Sequence, residues 1–339
     1  MKKTLAVLLA ILAAVLYYDI DTVRLTNNIY LYITDSYQEE VPPAGVITPT
    51  TLALSGKTIN MGDDFSTITE NFGESMDSFS SEYGFVWNIY HNNYKDYVQI
   101  GVNSQDKVCA AYTNSRAFRF CGIRVGSTID EVRMTFGEPL TAIRKGTIDY
   151  IINTGMDSRR EIDVFLFRGM YLRFFYDCFK NNTVTSIHII EEDTELSFNR
   201  QYADGTADRA YAMELENFYI TNALRVREGV KAVEMNNFAR TSALAHAEDM
   251  ATNQYFSHTG LDGSDVALRL KRTGAPFRQV GENLAAGGQS SIIMHELLMN
   301  SAGHRKNILA PYRYLGVGVA FDSNNRPYLV QNYYNPIAG

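Results

Sequence analysis

The chain has 339 residues, enough for about two domains at roughly 150 residues each. At 45% hydrophobic and 20% charged it can bury ordinary globular cores, which excludes a wholly disordered chain. The net charge of −7, with no basic stretch, excludes the phosphate-neutralising surface that a nucleic-acid partner requires.

Met1-Lys2-Lys3 precedes an apolar run from Leu5 to Tyr18. That length matches a secretory signal core and is short for a full membrane span. Val15-Leu16-Tyr17-Tyr18 is too bulky for a small-x-small cleavage site, so residues 1–20 read as an uncleaved signal-anchor, with a cleaved signal peptide as the alternative. Lysines on the cytoplasmic side place the rest of the chain outside, anchored by this segment or secreted. Residues 21–56 read as a linker, broken by Pro42-Pro43 and Pro49; Thr22 to Thr34 fits a helix or a strand equally.

From Ile59 the chain repeats itself. Ile59, Gly62, Phe65, Ile68, Phe72, Gly73 and Glu74 recur as Ile123, Gly126, Ile129, Val132, Phe136, Gly137 and Glu138. The apolar members have helical spacing, and Ser127 or Thr128 is placed to cap the second helix. Strand-like runs follow each helix: Val86–His91 and Tyr97–Val102, then Asp163–Phe167, Tyr171–Tyr176 and Val184–Ile190. Residues 57–195 therefore predict a tandem-repeat α+β domain, one helix layer on an antiparallel sheet. His91 and His188 read as half-exposed strand residues, and the aromatic strands as core, with a peptide- or glycan-binding face as the sharper alternative. Cys109, Cys121 and Cys178 read as buried thiols; a Cys109–Cys121 bridge is the alternative.

The acidic stretch from Glu191 to Asp208 reads as a solvated linker, centred on 196–212. The second domain, 213–339, opens with a helix from Met213 to about Arg227, then one from about Asn236 to Asn253 that carries an exposed His246. Tyr255-Phe256-Ser257-His258 precedes a turn at Leu261-Asp262-Gly263. Gly281-Glu282-Asn283-Leu284-Ala285 reads as a glycine-flanked turn, Ile292 to Met299 as a helix, and Ser301, Gly303 and His304 as the start of another. His258, Glu282, Ser301 and His304 are expected to converge on one cleft. Glu282 and His304 are the candidate catalytic residues, and His258, Glu282 and His304 the candidate ligands of a divalent metal, zinc or calcium.

Asn222-x-x-Arg225, Leu244 to Met250, Tyr255 to His258, Gly281 to Ala285, Asn300 to Leu309 and Gly316-Val317-Gly318-Val319 come in an order and spacing that resemble the bacterial CAP (SCP/PR-1-like) superfamily. The repeat region resembles the CAP-associated N-terminal domain found before some bacterial CAP domains and, in its helix-Gly-x-Pro-strand pattern, small envelope lipoproteins of outer-membrane assembly. The resemblance implies an α-β-α sandwich and an extracellular location. It also implies a cleft of two histidines and two glutamates, with Ser301 here in place of the second glutamate and Leu298 in place of a tryptophan. Arg269 matches a structural arginine of the family, with a place in the pocket lining as the equal alternative. The sequence favours an extracytoplasmic binding module engaging a cell-envelope component or an extracellular protein. A metal-assisted, peptidase-like hydrolase and a carrier of small lipids or sterols are the alternatives.

Overall fold

The computed structural model describes residues 31–32, 51–152 and 160–337. The expected signal-anchor lies outside these residues, as does most of the 21–56 linker; of Thr22 to Thr34 only the short strand Leu31–Tyr32 is described.

Two copies of one unit build the first half. Phe65, Ile68 and Phe72 line one stripe of helix α1 (Phe65–Phe72), and Ile129, Val132 and Phe136 the same stripe of α2 (Ile129–Phe136). Thr128 closes a capping box with Glu131 at the start of α2. Asp64 holds the corresponding place before α1 without a capping bond, its carboxylate turned instead to Lys107 at 2.7 Å.

The strands fall where the residue pattern placed them, with two more on the first unit, Asp77–Ser80 and Val108–Thr113. The first unit gives β1 (Asp77–Ser80), β2 (Val86–Asn92), β3 (Lys95–Val102) and β4 (Val108–Thr113). The second gives β5 (Ile162–Phe167), β6 (Met170–Asp177) and β7 (Thr183–Glu191). They form one antiparallel sheet in the order β5-β6-β7-β4-β3-β2-β1. The join between the units is β4 against β7, from Thr113 opposite Ile187 to Ala110 opposite Ile190. Between α2 and β5 sits a hairpin, Ala142–Lys145 and Ile148–Ile151, too short and too polar to show in the apolar pattern.

The stretch expected to be a solvated linker is partly core. Glu192–Ser197 is a short helix, α3, and Glu195 on it is 1% exposed. The correction has a simple cause: Lys145 and Arg173 each hold its carboxylate at 2.6 Å, so it is buried as part of a charge cluster. The next helix, α4 (Ala207–Arg227), starts within the same stretch, capped by Thr206.

After α4 come α5 (Asn237–Asn253), α6 (Val266–Arg272), β8 (Phe277–Ala286), α7 (Ser291–Met299), α8 (Ala302–Leu309), β9 (Tyr314–Phe321) and β10 (Pro327–Pro336). β9, β10 and β8 form a small antiparallel sheet, extended by a parallel pair at Glu234–Met235. The run Gly316-Val317-Gly318-Val319 explains how helices cover both faces. A methyl group at Gly316 or Gly318 would overlap the α5 backbone at Ala239–Arg240 or Ala243–Leu244, so α5 lies directly on the sheet. The alternate side chains, Leu315, Val317 and Val319, enter the opposite core with Met213, Leu298 and Ile308. This is an α-β-α sandwich.

The two halves share a layer. α1 and α2 cover one face of the seven-stranded sheet. On its other face Trp87, Ile89, Tyr97 and Tyr112 pack with Ala212, Ile220 and Ala223 of α4 and with Ile292 of α7. Both faces are therefore buried, and all six residues of β4 are buried. Polar anchors cross the same boundary. Arg305 grips Asp177 with two bonds of 2.9 and 2.8 Å. Asn300 bonds Tyr176 O and Cys178 N, Arg209 meets Glu82 at 2.9 Å, and the Tyr112 hydroxyl donates to Glu296 at 2.8 Å. Cys109, Cys121 and Cys178 are thiols. His188 is 2% exposed and His91 half-buried; the expectation of two half-exposed rings fails for His188 because α4 and α7 cover its sheet face.

Candidate functional site

Glu282 lies within β8 rather than in a turn. Gly281 before it serves close approach, since a Cβ there would meet the Tyr312 hydroxyl. Strand alternation sends neighbouring side chains to opposite faces. Glu282 points to the α5 face and Asn283 to the other, where it donates to Gln331 at 2.9 Å and to His304 O at 3.2 Å.

The Glu282 carboxylate is 3% exposed and fully engaged. Oε1 is 2.9 Å from His258 Nδ1, and Oε2 takes Arg269 Nη2 at 2.6 Å. With its amide nitrogen turned to the carboxylate, Asn332 donates to Oε2 at 3.1 Å and accepts from Ser242. Arg269 also donates to His258 O at 3.0 Å and Ser264 O at 2.6 Å, tying the 257–265 loop to the strand. The sequence left Arg269 between a structural and a pocket role; its bonds make it a brace. His246, expected to be exposed, is 1% exposed, with Nε2 2.9 Å from Ser257 O. Burial, and then the nearby Arg269 charge, lowers its pKa. The misreading came from a helix whose buried face is mostly alanine and so shows little apolar stripe.

The expected quartet is divided. His258 and Glu282 pair on the α5 side, with the His258 side chain 60% exposed. Ser301 and His304 line a cavity between the two domains. Ser301 holds the N-cap position before α8, but its side chain makes no capping bond. Leu298 is core. The motif pair Asn222 and Arg225 is also structural: Asn222 exchanges two bonds with Val233, and Arg225 caps the carbonyls of Lys231, Ala310 and Tyr312.

A divalent metal fits this arrangement poorly. Among the described residues no three His, Cys, Asp or Glu side chains gather as ligands. The carboxylate that would bind the ion already faces a guanidinium, whose positive charge opposes a cation there.

The cavity has a volume of about 230 Å³. Its polar wall includes Lys145, Arg173, Glu161, Glu195 and Glu296. Burial would raise Glu195, but Arg173 and Lys145 outweigh it and hold the carboxyl down at about 2. Glu296 is raised by burial and accepts from the Tyr112 and Ser186 hydroxyls. The neighbouring interface holds Glu216, pushed up to about 8 by burial, and His295, pulled down to about 3 by burial and by Arg227. The apolar patterns passed over these groups. The readable signal was His295-Glu296, two polar residues inside an otherwise apolar helix.

Comparison with known proteins agrees with this architecture. Residues 61–201 match the CAP-associated N-terminal family and residues 218–333 the cysteine-rich secretory protein family (CAP). The membrane protein YlbC of Bacillus subtilis is 26% identical over 298 residues, covering 83% of this chain and 84% of that protein. B. subtilis YkwD is 34% identical over 108 residues, 32% of this chain and 42% of YkwD. An extracellular SCP-domain protein of Bacillus anthracis superposes with a TM-score of 0.70 at 22% identity, over 88% of this chain and all of that one. A Staphylococcus aureus cysteine-rich secretory protein gives 0.66 at 13% identity, over 85% of this chain and 97% of that one. At these identities the superpositions speak for the fold alone. The chain carries a CAP-associated N-terminal domain followed by a CAP domain.

Proposed function

We propose that this chain is an extracytoplasmic binding module, anchored by its N-terminal apolar segment, that engages a cell-envelope component and is not a hydrolase. The apolar start with its leading lysines supports the location, as does the similarity to YlbC, which is named a membrane protein.

One observation carries the functional half: Glu282, the best candidate for a general base, is spent on the fold. Its oxygens are taken by His258, Arg269 and Asn332 inside a 3% exposed side chain. A base must be able to reach a substrate proton, and this carboxylate faces loop and strand instead. Ser301 and His304, which line a different space, do not join it. Substrate turnover would need groups in one place, whereas binding needs only a rigid surface, and the two interlocked domains provide one.

Glu282→Gln separates the readings. The binding-module reading expects lower stability, by about 1.5–3 kcal/mol for loss of charged hydrogen bonds, read by denaturant unfolding of the full-length chain. It expects no zinc- or calcium-dependent peptide hydrolysis in either protein, and saturable sedimentation of the wild type with isolated cell envelopes. Metal-dependent turnover in the wild type, abolished in a Glu282→Gln protein of unchanged stability, would overturn it.

A further inference from the structure

The cavity between the domains has features that surface binding does not use. Its volume of about 230 Å³ exceeds the roughly 150 Å³ of an apolar cavity that holds benzene. Ile151 of the hairpin and Leu297 of α7, each 37% exposed, flank its mouth, one from each domain. Ile143, Val164 and Ile293 add aliphatic wall. The opposite end is charged and closed: Lys145 and Arg173 are 5% and 6% exposed.

That end has more donors than acceptors. Glu195 takes Arg173 Nη2 and Lys145 Nζ at 2.6 Å each, and the Tyr83 hydroxyl at 2.8 Å. Lys145 places a second bond on Phe198 O at 2.8 Å and so uses two of its three donors. Arg173 Nη1 is buried without a hydrogen-bond partner among the described residues. A buried donor left open beside an aliphatic space is a costly arrangement unless something supplies the acceptor.

We propose that this cavity binds a carboxylate carried on an aliphatic body, its oxygens on Arg173 Nη1 and its aliphatic part between Ile151 and Leu297. A carboxylate is acceptor-only and matches a guanidinium edge, whereas a neutral amide brings N–H donors that this end cannot use. A water molecule satisfies Nη1 but leaves the aliphatic walls unfilled. Two sources share this chemistry: a free aliphatic acid and the C-terminal residue of a peptide ending in an aliphatic side chain.

The test is calorimetric titration of the full-length chain with decanoate and with N-acetyl-Leu-Leu, each against its primary amide. The expected result is saturable binding of at least one carboxylate, at least tenfold tighter than its amide. Which carboxylate binds identifies the source. Arg173→Gln should erase the acid-over-amide preference. Leu297→Trp, at an exposed position where folding is easily retained and checked by circular dichroism, should weaken binding at least tenfold by closing the mouth. Equal binding of acid and amide, no binding of either acid, or binding indifferent to Leu297→Trp in a folded protein would overturn the proposal. None of these outcomes depends on whether Glu282 is catalytic.

Discussion

Two of the buried carboxylate–guanidinium pairs of this molecule differ in what surrounds them. Glu282–Arg269 and Glu195–Arg173 have the same 2.6 Å contact. Arg269 spends both terminal nitrogens, on Glu282, His258 O and Ser264 O, and so closes a loop onto a strand. Arg173 spends one on Glu195 and leaves the other buried without a hydrogen-bond partner among the described residues, in a side chain that lines the cavity. The same residue pair is a brace in one place and the polar end of a cavity in the other. A charged pair thus becomes a site through the room left next to it, not through the residues alone.

The largest expected effect comes from breaking the closed pair. Arg269→Ala strands a buried carboxylate and two carbonyls and should cost about 3–5 kcal/mol in denaturant unfolding. Arg173→Ala should cost less, about 1–3 kcal/mol, because Lys145 still faces Glu195. Equal losses would erase the distinction between the two pairs.

Acid sharpens the comparison at the domain boundary. His188 and His295 are both held down at about 3 by burial, assisted by Arg173 and Arg227 respectively. Above about pH 6.5 the rings are neutral in folded and unfolded chains alike. Below it only the unfolded chain takes up the protons, so stability falls with pH until the folded rings also protonate near 3. Each ring should cost about 2 kcal/mol by pH 5. His295→Gln should remove one ring's share of the slope between pH 7 and 5 in thermal melts. An unchanged slope would place the acid sensitivity elsewhere.

The smallest effect is expected at the exposed end of the brace. His258→Ala removes a side chain that is 60% exposed, and it should shift stability by less than about 1 kcal/mol. A larger shift would mean that the ring, and not Arg269, holds Glu282 in place.

Where local pattern decides structure, the sequence was readable. The repeat of Phe65, Ile68 and Phe72 in Ile129, Val132 and Phe136 placed both helices, and the apolar runs placed most strands of the large sheet. Gly316 and Gly318 entered only as part of a family-like motif, and the structure shows why they are glycine: a helix backbone touches that face. Pairing across the domains decided the rest. Glu195 reads as solvent-facing in its acidic stretch and becomes core only when Lys145 and Arg173 arrive from other strands. The four candidate cleft residues could be named from their turns and spacing. Which of them share a space depended on strand alternation at Glu282 and Asn283, which a glycine-flanked reading hides.

The β4–β7 join has a consequence for how the chain is made. β4 is apolar on both faces, and its pairing partner is not complete until Ile190 has emerged. As the chain is synthesised from its N-terminus, the first repeat therefore waits with a greasy, unpaired strand edge while the whole second repeat is made. That interval is when the chain is most exposed to β-pairing with a neighbouring copy or to capture by a chaperone. A truncation ending before β7 should aggregate on expression even though it contains an entire first repeat.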